Sequence, residues 1–185
     1  MSEHDARAVI LAAGTSSRMG AQKLLMPFRG RPMIEHAIAA AQGWRPLVVA
    51  GAEVFEFLSG REGLELVRND EPERGLSHSL RLADRFLPEQ FAMIVLLGDK
   101  PMITPALIDA VAAAAGEADI AYPARGDQPG HPVWISGRAR RRIADLPDGD
   151  TLRLLREQPG LALRAVETHD EGAFFDVDTR DRLSS

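Results

Sequence analysis

The fold is decided by residues 8–23, which read AVILAAGTSSRMGAQK. The apolar, β-branched start of this stretch, Ala8–Ala13, predicts a β-strand, and the glycines and serines that follow predict a loop. In open α/β sheets, ligands bind outside the carboxyl ends of the strands. The loop is therefore a candidate ligand site.

The loop contains the residue types that hold phosphate groups. Backbone N–H groups around Gly14 and Ser16 can turn inward on phosphate oxygens, and Arg18 and Lys23 supply positive charge. The spacing matches neither the GxxxxGK[ST] phosphate loop nor the GxGxxG dinucleotide fingerprint. The alternative interpretation is an ordinary glycine and serine turn with two surface cations.

The rest of the chain alternates short apolar runs with helical patterns. Further strands are predicted at Leu47–Gly51, Leu64–Arg68, Met93–Leu97, Asp119–Tyr122, Pro132–Ile135, Ala162–Val166 and Phe174–Val177. Helices are predicted at Pro32–Gln42, Ser77–Leu87, Pro105–Ala115, Arg138–Leu146 and Thr151–Gln158, with Thr104 as an N-cap. This alternation predicts an α/β fold of three layers, and we expect one domain over residues 1–185.

The composition excludes several classes of protein. A formal net charge of -5 argues against binding to the nucleic-acid backbone, and the arginine run Arg138–Arg142 predicts only a solvated helix face. The chain has no cysteine, which excludes disulfides and thiolate sites. The apolar run Phe91–Leu97 is too short to span a bilayer, and the N-terminus does not have the pattern of a signal peptide. We expect a cytoplasmic protein with no membrane partner.

Two acidic segments are candidate metal ligands. Asp99, in LLGDKP, follows the predicted strand Met93–Leu97, where a carboxylate can hold Mg²⁺ on phosphate oxygens. The alternative is that Gly98 and Asp99 only form a turn. In DVDT, Asp176 and Asp178 point to the same face of an extended segment. Asp176 can complete a metal site, whereas Asp178 is better placed to cap a helix.

The segment NDEPERGLSHS, from Asn69 to Ser79, offers polar groups at a strand end and a helix start. Asn69 and Ser77 can present an amide and a hydroxyl to a base or a ribose. The alternative is a capped loop in which Ser77 is the N-cap.

In this order, the segments resemble the molybdenum cofactor cytidylyltransferase branch of the molybdopterin nucleotidyltransferase superfamily. The resemblance extends from Val9 to Asp181. The motif LAAGTSSRMGAQKLL is specific for the superfamily, and NDEPERGLSHSL, LLGDKP, GHPVWI and DVDT are specific for the branch. It implies a Rossmann-like nucleotidyltransferase fold, whose mostly parallel sheet contains an inserted antiparallel strand.

The resemblance also implies a Mg²⁺-dependent transfer of CMP from CTP to Mo-molybdopterin, a phosphorylated pterin. A molybdoenzyme or its maturation chaperone is the implied protein partner. Guanylyltransferase relatives usually have LAGG where this chain has LAAG, which favours cytosine. Carried over to this sequence, the resemblance implies that the nucleotide lies against Leu11, Ala12, Ala13 and Gly14. Its phosphates contact Ser16, Arg18 and Lys23, and its base and ribose lie near Asn69 and Ser77. The metal is held by Asp99 and Asp176.

Two residues depart from the family pattern. Lys100 replaces an uncharged residue beside the predicted metal ligand, and His131 replaces an asparagine on the expected acceptor side. Two other interpretations stay open. One is the same chemistry with another NTP or acceptor, such as guanylyl transfer. The other is a protein that binds nucleotide or pterin during cofactor maturation without catalysis.

Overall fold

The computed structural model describes residues 5–14, 22–149 and 152–177. The strands are β1 (Ala6–Ala12), β2 (Pro27–Phe28), β3 (Arg31–Pro32), β4 (Leu47–Ala50), β5 (Glu65–Arg68), β6 (Ala92–Leu97), β7 (Ile120–Arg125), β8 (Gln128–Pro129), β9 (Val133–Ile135) and β10 (Leu163–Glu167). The α-helices are α1 (Met33–Ala40), α2 (Ala52–Leu58), α3 (Gly75–Asp84), α4 (Pro105–Ala115), α5 (Gly137–Arg140) and α6 (Leu152–Glu157). Short 3₁₀ helices lie at Lys23–Leu25, Gln42–Trp44, Pro72–Arg74, Ile143–Asp145 and Glu171–Ala173. Within these residues, no helix has the length and apolar character that crossing a membrane requires.

The main sheet has the strand order β10-β7-β9-β6-β1-β4-β5, and β8 pairs with β7. Strand β1 is parallel to both β4 and β6, β4 is parallel to β5, and β10 is parallel to β7. Strand β9 lies between β6 and β7 and is antiparallel to both. The prediction of a mostly parallel sheet with an inserted antiparallel strand is confirmed.

Helices cover both faces of this sheet. Along β1, Ala8 and Ile10 pack into one core with α1, α2 and α4. The alternate residues Val9 and Leu11 pack into a second core with α3, α5 and α6. Strands buried on both faces are continuously apolar, which explains the unbroken hydrophobic runs of β1 and β6. The predicted three-layer α/β arrangement is confirmed.

Most element boundaries differ from the predictions by a few residues, and some differences are larger. Helix α2 was not predicted, and Phe174–Val177 is not a strand. The backbone before Phe174 instead packs against loops: the carbonyl of Ala173 accepts a hydrogen bond from the His131 N–H at 2.9 Å. Thr104 is the N-cap of α4 as predicted, since its hydroxyl accepts a hydrogen bond from the Leu107 N–H at 3.2 Å.

The predicted solvated face is confirmed for Arg138, Arg141 and Arg142, which are exposed, but the predicted helix over Arg138–Leu146 differs from the structure in two respects. It divides into α5 and a 3₁₀ turn, and the Arg140 side chain is buried. Its guanidinium donates to the Asp84 carboxylate at 2.7 Å and to the carbonyls of Pro88 and Phe91 at 2.7 and 2.6 Å. These groups lie at the end of α3 and in the following loop, where carbonyls lack helical partners. Arg140 therefore satisfies backbone groups and does not form a charged surface.

Candidate active site

A cavity of about 320 Å³ opens at the carboxyl ends of β1 and β6. These strands are parallel with Leu11 opposite Leu97, and the Gly98 N–H continues the ladder by donating to the Leu11 carbonyl at 3.0 Å. The loops after both strands therefore meet at one edge of the sheet. The cavity is lined by Leu11, Ala13, Gly14, Lys23, Leu24, Pro72, Gly75, Leu76, Ser79, Leu97 and Asp99.

Lys23 and Asp99, both predicted from the sequence, meet in this cavity. The Lys23 Nζ atom lies 3.1 Å from Asp99 Oδ2, and the two side chains are 15% and 32% exposed. Both groups are thus accessible to a ligand while they neutralise each other. The ammonium can contact phosphate oxygens, and the carboxylate can contact a cation.

Gly98 lets the Asp99 loop approach the segment that carries Lys23. A methyl group at position 98 would lie 3.1 Å from Ile34 Cδ1 and 3.2 Å from Leu24 Cδ1. These contacts are tighter than ordinary van der Waals contact, so the Ile34 and Leu24 side chains would have to shift by a few tenths of an ångström to admit a methyl group. The glycine of LLGDKP therefore has a packing role beside the cavity.

The four residues predicted to lie against the nucleotide do not all face the cavity. Leu11, Ala13 and Gly14 line the cavity, whereas Ala12 is buried in the core on the opposite face. This follows from the alternation of side chains along a strand. Ser16 and Arg18 lie outside the described residues, and their contact with phosphate stays a prediction.

The polar residues predicted to lie near the base have internal hydrogen bonds. The buried Asn69 accepts from the Glu71 N–H at 2.9 Å and donates to the Ser79 hydroxyl at 3.0 Å. Ser77, also buried, donates to the Pro147 carbonyl at 2.8 Å. Neither residue lines the described part of the cavity.

Ser79 lines the cavity in place of Ser77 because α3 begins earlier than predicted. The helix starts at Gly75, so Ser77 lies inside it and is not the N-cap. Residues four apart share a helix face, which brings Ser79 to the same side as Gly75. The i, i+4 spacing of these two residues is the signal that sequence reasoning missed.

The start of α3 is fixed by residues 147–149, which were not predicted to approach the site. The Gly149 N–H donates to the Arg74 carbonyl at 2.8 Å, and Arg74 Nε donates to the Asp148 carboxylate at 2.8 Å. Arg81 also pairs with Asp148. The hydrogen bond from Arg74 is the main reason that the pKa of Asp148 lies below its ordinary value. The loop is thereby held beside the cavity.

Asp176 lies next to Lys100. The buried Lys100 ammonium is 3.9 Å from Asp176 Oδ2 and donates to the Phe175 carbonyl at 3.4 Å. Among the residues that the structure describes, no three Asp, Glu or His side chains form a group that would bind a metal by itself. A Mg²⁺ ion nevertheless needs only one or two carboxylates when substrate phosphates complete its shell, so Asp99 fits such an ion.

His131 is held in its neutral form. Burial is the main cause that lowers its pKa to about 3, and the positive charges of Lys100 and Arg156 lower it further. Its buried Nδ1 atom has no hydrogen-bond partner within the described ranges. A neutral imidazole does not supply positive charge to an acceptor at neutral pH.

The cavity lies at the carboxyl ends of parallel strands, where α/β proteins bind their ligands, and its lysine–carboxylate pair can contact phosphates and a cation. Residues 8–164 match the MobA-like NTP transferase domain, and the chain belongs to this family. The bifunctional protein GlmU of Aromatoleum aromaticum is 33% identical over 173 residues, which cover 89% of this chain and 34% of GlmU. The chain spans about a quarter of the length of another similar GlmU, from Alkalilimnicola ehrlichii (24%).

Solved structures share the fold over nearly the whole chain. Rv0371c from Mycobacterium tuberculosis H37Rv is 26% identical with a TM-score of 0.84, covering 100% of this chain and 97% of that protein. A nucleotidyl transferase from Methanothermobacter, Mth528, is 27% identical with a TM-score of 0.77, covering 95% and 93% of the two chains. The architecture is therefore the nucleotidyltransferase fold.

Proposed function

We propose that this protein transfers CMP from CTP to Mo-molybdopterin, forming molybdopterin cytosine dinucleotide and releasing pyrophosphate. The observation that carries the proposal is the Lys23–Asp99 pair in a cavity beside Ala13 and Gly14. In this proposal the pair supplies a cation and a carboxylate to the triphosphate of the bound nucleotide. The resemblance of NDEPERGLSHSL, LLGDKP and GHPVWI to the cytidylyltransferase branch supports the pterin acceptor, although Lys100 and His131 within these motifs depart from its pattern.

The residues fit a Mg²⁺ ion shared with the nucleotide. Asp99 would be its ligand from the cavity wall, and Asp176 stays a predicted second ligand. When bound, the ion would neutralise charge on the triphosphate oxygens. If Asp99 held this ion, its contact with Lys23 would be lost, and the Lys23 ammonium would be available to contact the phosphates.

The reaction is an in-line substitution at phosphorus. An acceptor phosphate oxygen forms a bond to the α-phosphorus, and the bond from the α-phosphorus to the bridging oxygen of pyrophosphate breaks. The attacking oxygen is already ionised, so no side chain has to remove a proton. Lys23, together with the predicted Arg18, would stabilise the negative charge that develops on the α-phosphate and on the leaving pyrophosphate.

Ala13 supports CTP as the nucleotide. Its side chain lines the cavity, where the guanylyltransferase relatives usually have a glycine. A methyl group narrows this wall, which suits a smaller base. In this proposal Ala13, which lines the cavity, therefore contributes to the choice of nucleotide.

The experiment that tests this function measures pyrophosphate release with CTP and with GTP, each in the presence and absence of Mo-molybdopterin. We expect release only with the acceptor, and a higher kcat/KM for CTP than for GTP. Equal or higher kcat/KM with GTP would contradict the choice of CTP. Tight binding of nucleotide without turnover, with any acceptor, would favour a binding protein in cofactor maturation.

A further inference from the structure

We infer that Ser79 selects the nucleobase by donating a hydrogen bond from a hydroxyl group whose direction is fixed by Asn69. The inference rests on the proposed function in taking the ligand of the cavity to be CTP, and it does not depend on the transfer reaction. It assigns Ser79 as the residue that contacts the base and Asn69 as a positioning residue.

The orientation of the Asn69 amide follows from a backbone group. The Glu71 N–H can only donate, so the Asn69 atom that lies 2.9 Å from it must be the carbonyl oxygen, Oδ1. The amide nitrogen Nδ2 therefore faces Ser79 Oγ, at 3.0 Å. The buried position of Asn69 keeps water from competing for either contact.

The Ser79 hydroxyl must then act as an acceptor toward Asn69, because an amide nitrogen has no lone pair to offer. The proton of the Ser79 hydroxyl therefore points away from Asn69. No hydrogen bond within the described residues uses this proton, although Ser79 lines the cavity and is nearly buried. A ligand atom that accepts a hydrogen bond would complete the arrangement.

The surroundings favour a base over a phosphate at this position. Ser79 lines the cavity together with the uncharged residues Pro72, Gly75 and Leu76. The positively charged residue in the described lining of the cavity is Lys23. It comes from a different loop and pairs with Asp99. The pairing edge of cytosine offers two adjacent acceptors, O2 and N3, whereas that of guanine offers one acceptor, O6, beside N–H donors at N1 and N2. A fixed hydroxyl donor aimed at the O2 and N3 positions therefore matches cytosine, and it would meet the N1 and N2 donors of a guanine presented in the same way.

The test measures dissociation constants for CTP and GTP without any acceptor, so that it does not depend on the proposed transfer reaction. Ser79→Ala should weaken CTP binding about tenfold and change GTP binding little, as expected for the loss of one hydrogen bond. Ser77→Ala is the competing variant, because Ser77 is the serine that the sequence favoured. Ser59→Ala is the matched control, since the Ser59 hydroxyl donates to the Phe55 carbonyl on α2 and does not line the cavity.

Asn69→Asp tests the direction of the hydrogen bond. The new carboxylate still accepts from the Glu71 N–H, but it also accepts the proton of Ser79, which then offers only lone pairs to the cavity. This variant should lower the preference for CTP as much as Ser79→Ala does, and combining both changes should add no further loss. If the variant does not fold, as judged by circular dichroism, the comparison of the Ser79 and Ser77 variants alone decides the assignment.

Three results would overturn the inference. An equal loss of CTP and GTP binding in Ser79→Ala would indicate a contact with the ribose. Loss of CTP preference in Ser77→Ala, but not in Ser79→Ala, would assign the contact to the other serine. Normal CTP preference in a folded Asn69→Asp variant would exclude control by Asn69. In each case pyrophosphate release by the wild-type protein would still test the proposed reaction separately.

Discussion

The Lys23 ammonium lies 3.1 Å from the Asp99 carboxylate, although 76 residues separate the two in the chain. The parallel register of β1 and β6 brings their loops to one edge, and Leu24 packs beside Gly98. Two oppositely charged groups are therefore held together in an accessible cavity. Such a pair can separate when phosphates reach the ammonium and a cation reaches the carboxylate.

Replacing Lys23 with alanine should lower turnover by ~10²-fold or more, because it removes a preorganised charge that stabilises the transition state. Pyrophosphate release gives the rate. The melting temperature should stay near that of the wild type, since the pair is partly exposed and such pairs contribute little to stability. A nearly normal rate would exclude Lys23 as a phosphate ligand.

Asp99→Asn keeps the shape of the side chain and removes its charge. If Asp99 holds the metal, activity should be lost at ordinary Mg²⁺ concentrations and return in part at higher concentrations. A titration of activity with Mg²⁺ measures this. Asparagine is also a good turn residue, so the alternative that Asp99 only forms a turn predicts an active variant with unchanged metal dependence.

Gly75→Ala should destabilise the protein by ~2 kcal/mol or more, because position 75 is strained for any side chain and is also crowded. Its φ is +79°, and an added methyl group would lie 2.7 Å from Gly149 Cα. Gly116→Ala is the matched control, with φ +52° but no atom within 4 Å of the added group. Urea unfolding measures the loss of unfolding free energy in both variants, and the difference between the two losses is the effect of the contact with Gly149. If the two losses are equal, that contact contributes nothing.

His131 should not titrate between pH 5 and 8 in the folded protein, because its pKa is lowered to about 3 from the ordinary value of 6.5. The unfolded chain takes up a proton as the pH falls below 6.5, whereas the folded chain does not. The contribution of His131 to stability is therefore complete above pH 6.5 and is lost as the pH falls toward 3. NMR of the imidazole ring against pH measures this directly, and a midpoint near 6.5 would contradict the burial of the ring.

Several features were predictable because local patterns determine them. The apolar runs of β1 and β6 predict strands buried on both faces, and Thr104 followed by Pro105 marks the start of α4. Phe174–Val177 has the apolar composition of a strand because its apolar side chains pack against the core, but its backbone does not join the sheet, so its local pattern was misleading. Arg140 belongs to a charged run, and only the position of the Asp84 carboxylate and of the carbonyls in the loop after α3 explains its burial.

The sequence by itself determined the α/β fold and the candidates Lys23 and Asp99, and it predicts that the loop after β1 binds phosphate, because each depends on residue types at short spacing. The tertiary structure decided which of these candidates meet. It turned Ser79 toward the cavity and Ser77 toward Pro147, and it placed residues 147–149 against the start of α3. These choices depend on helix phase and on contacts between distant segments, which a local pattern does not specify.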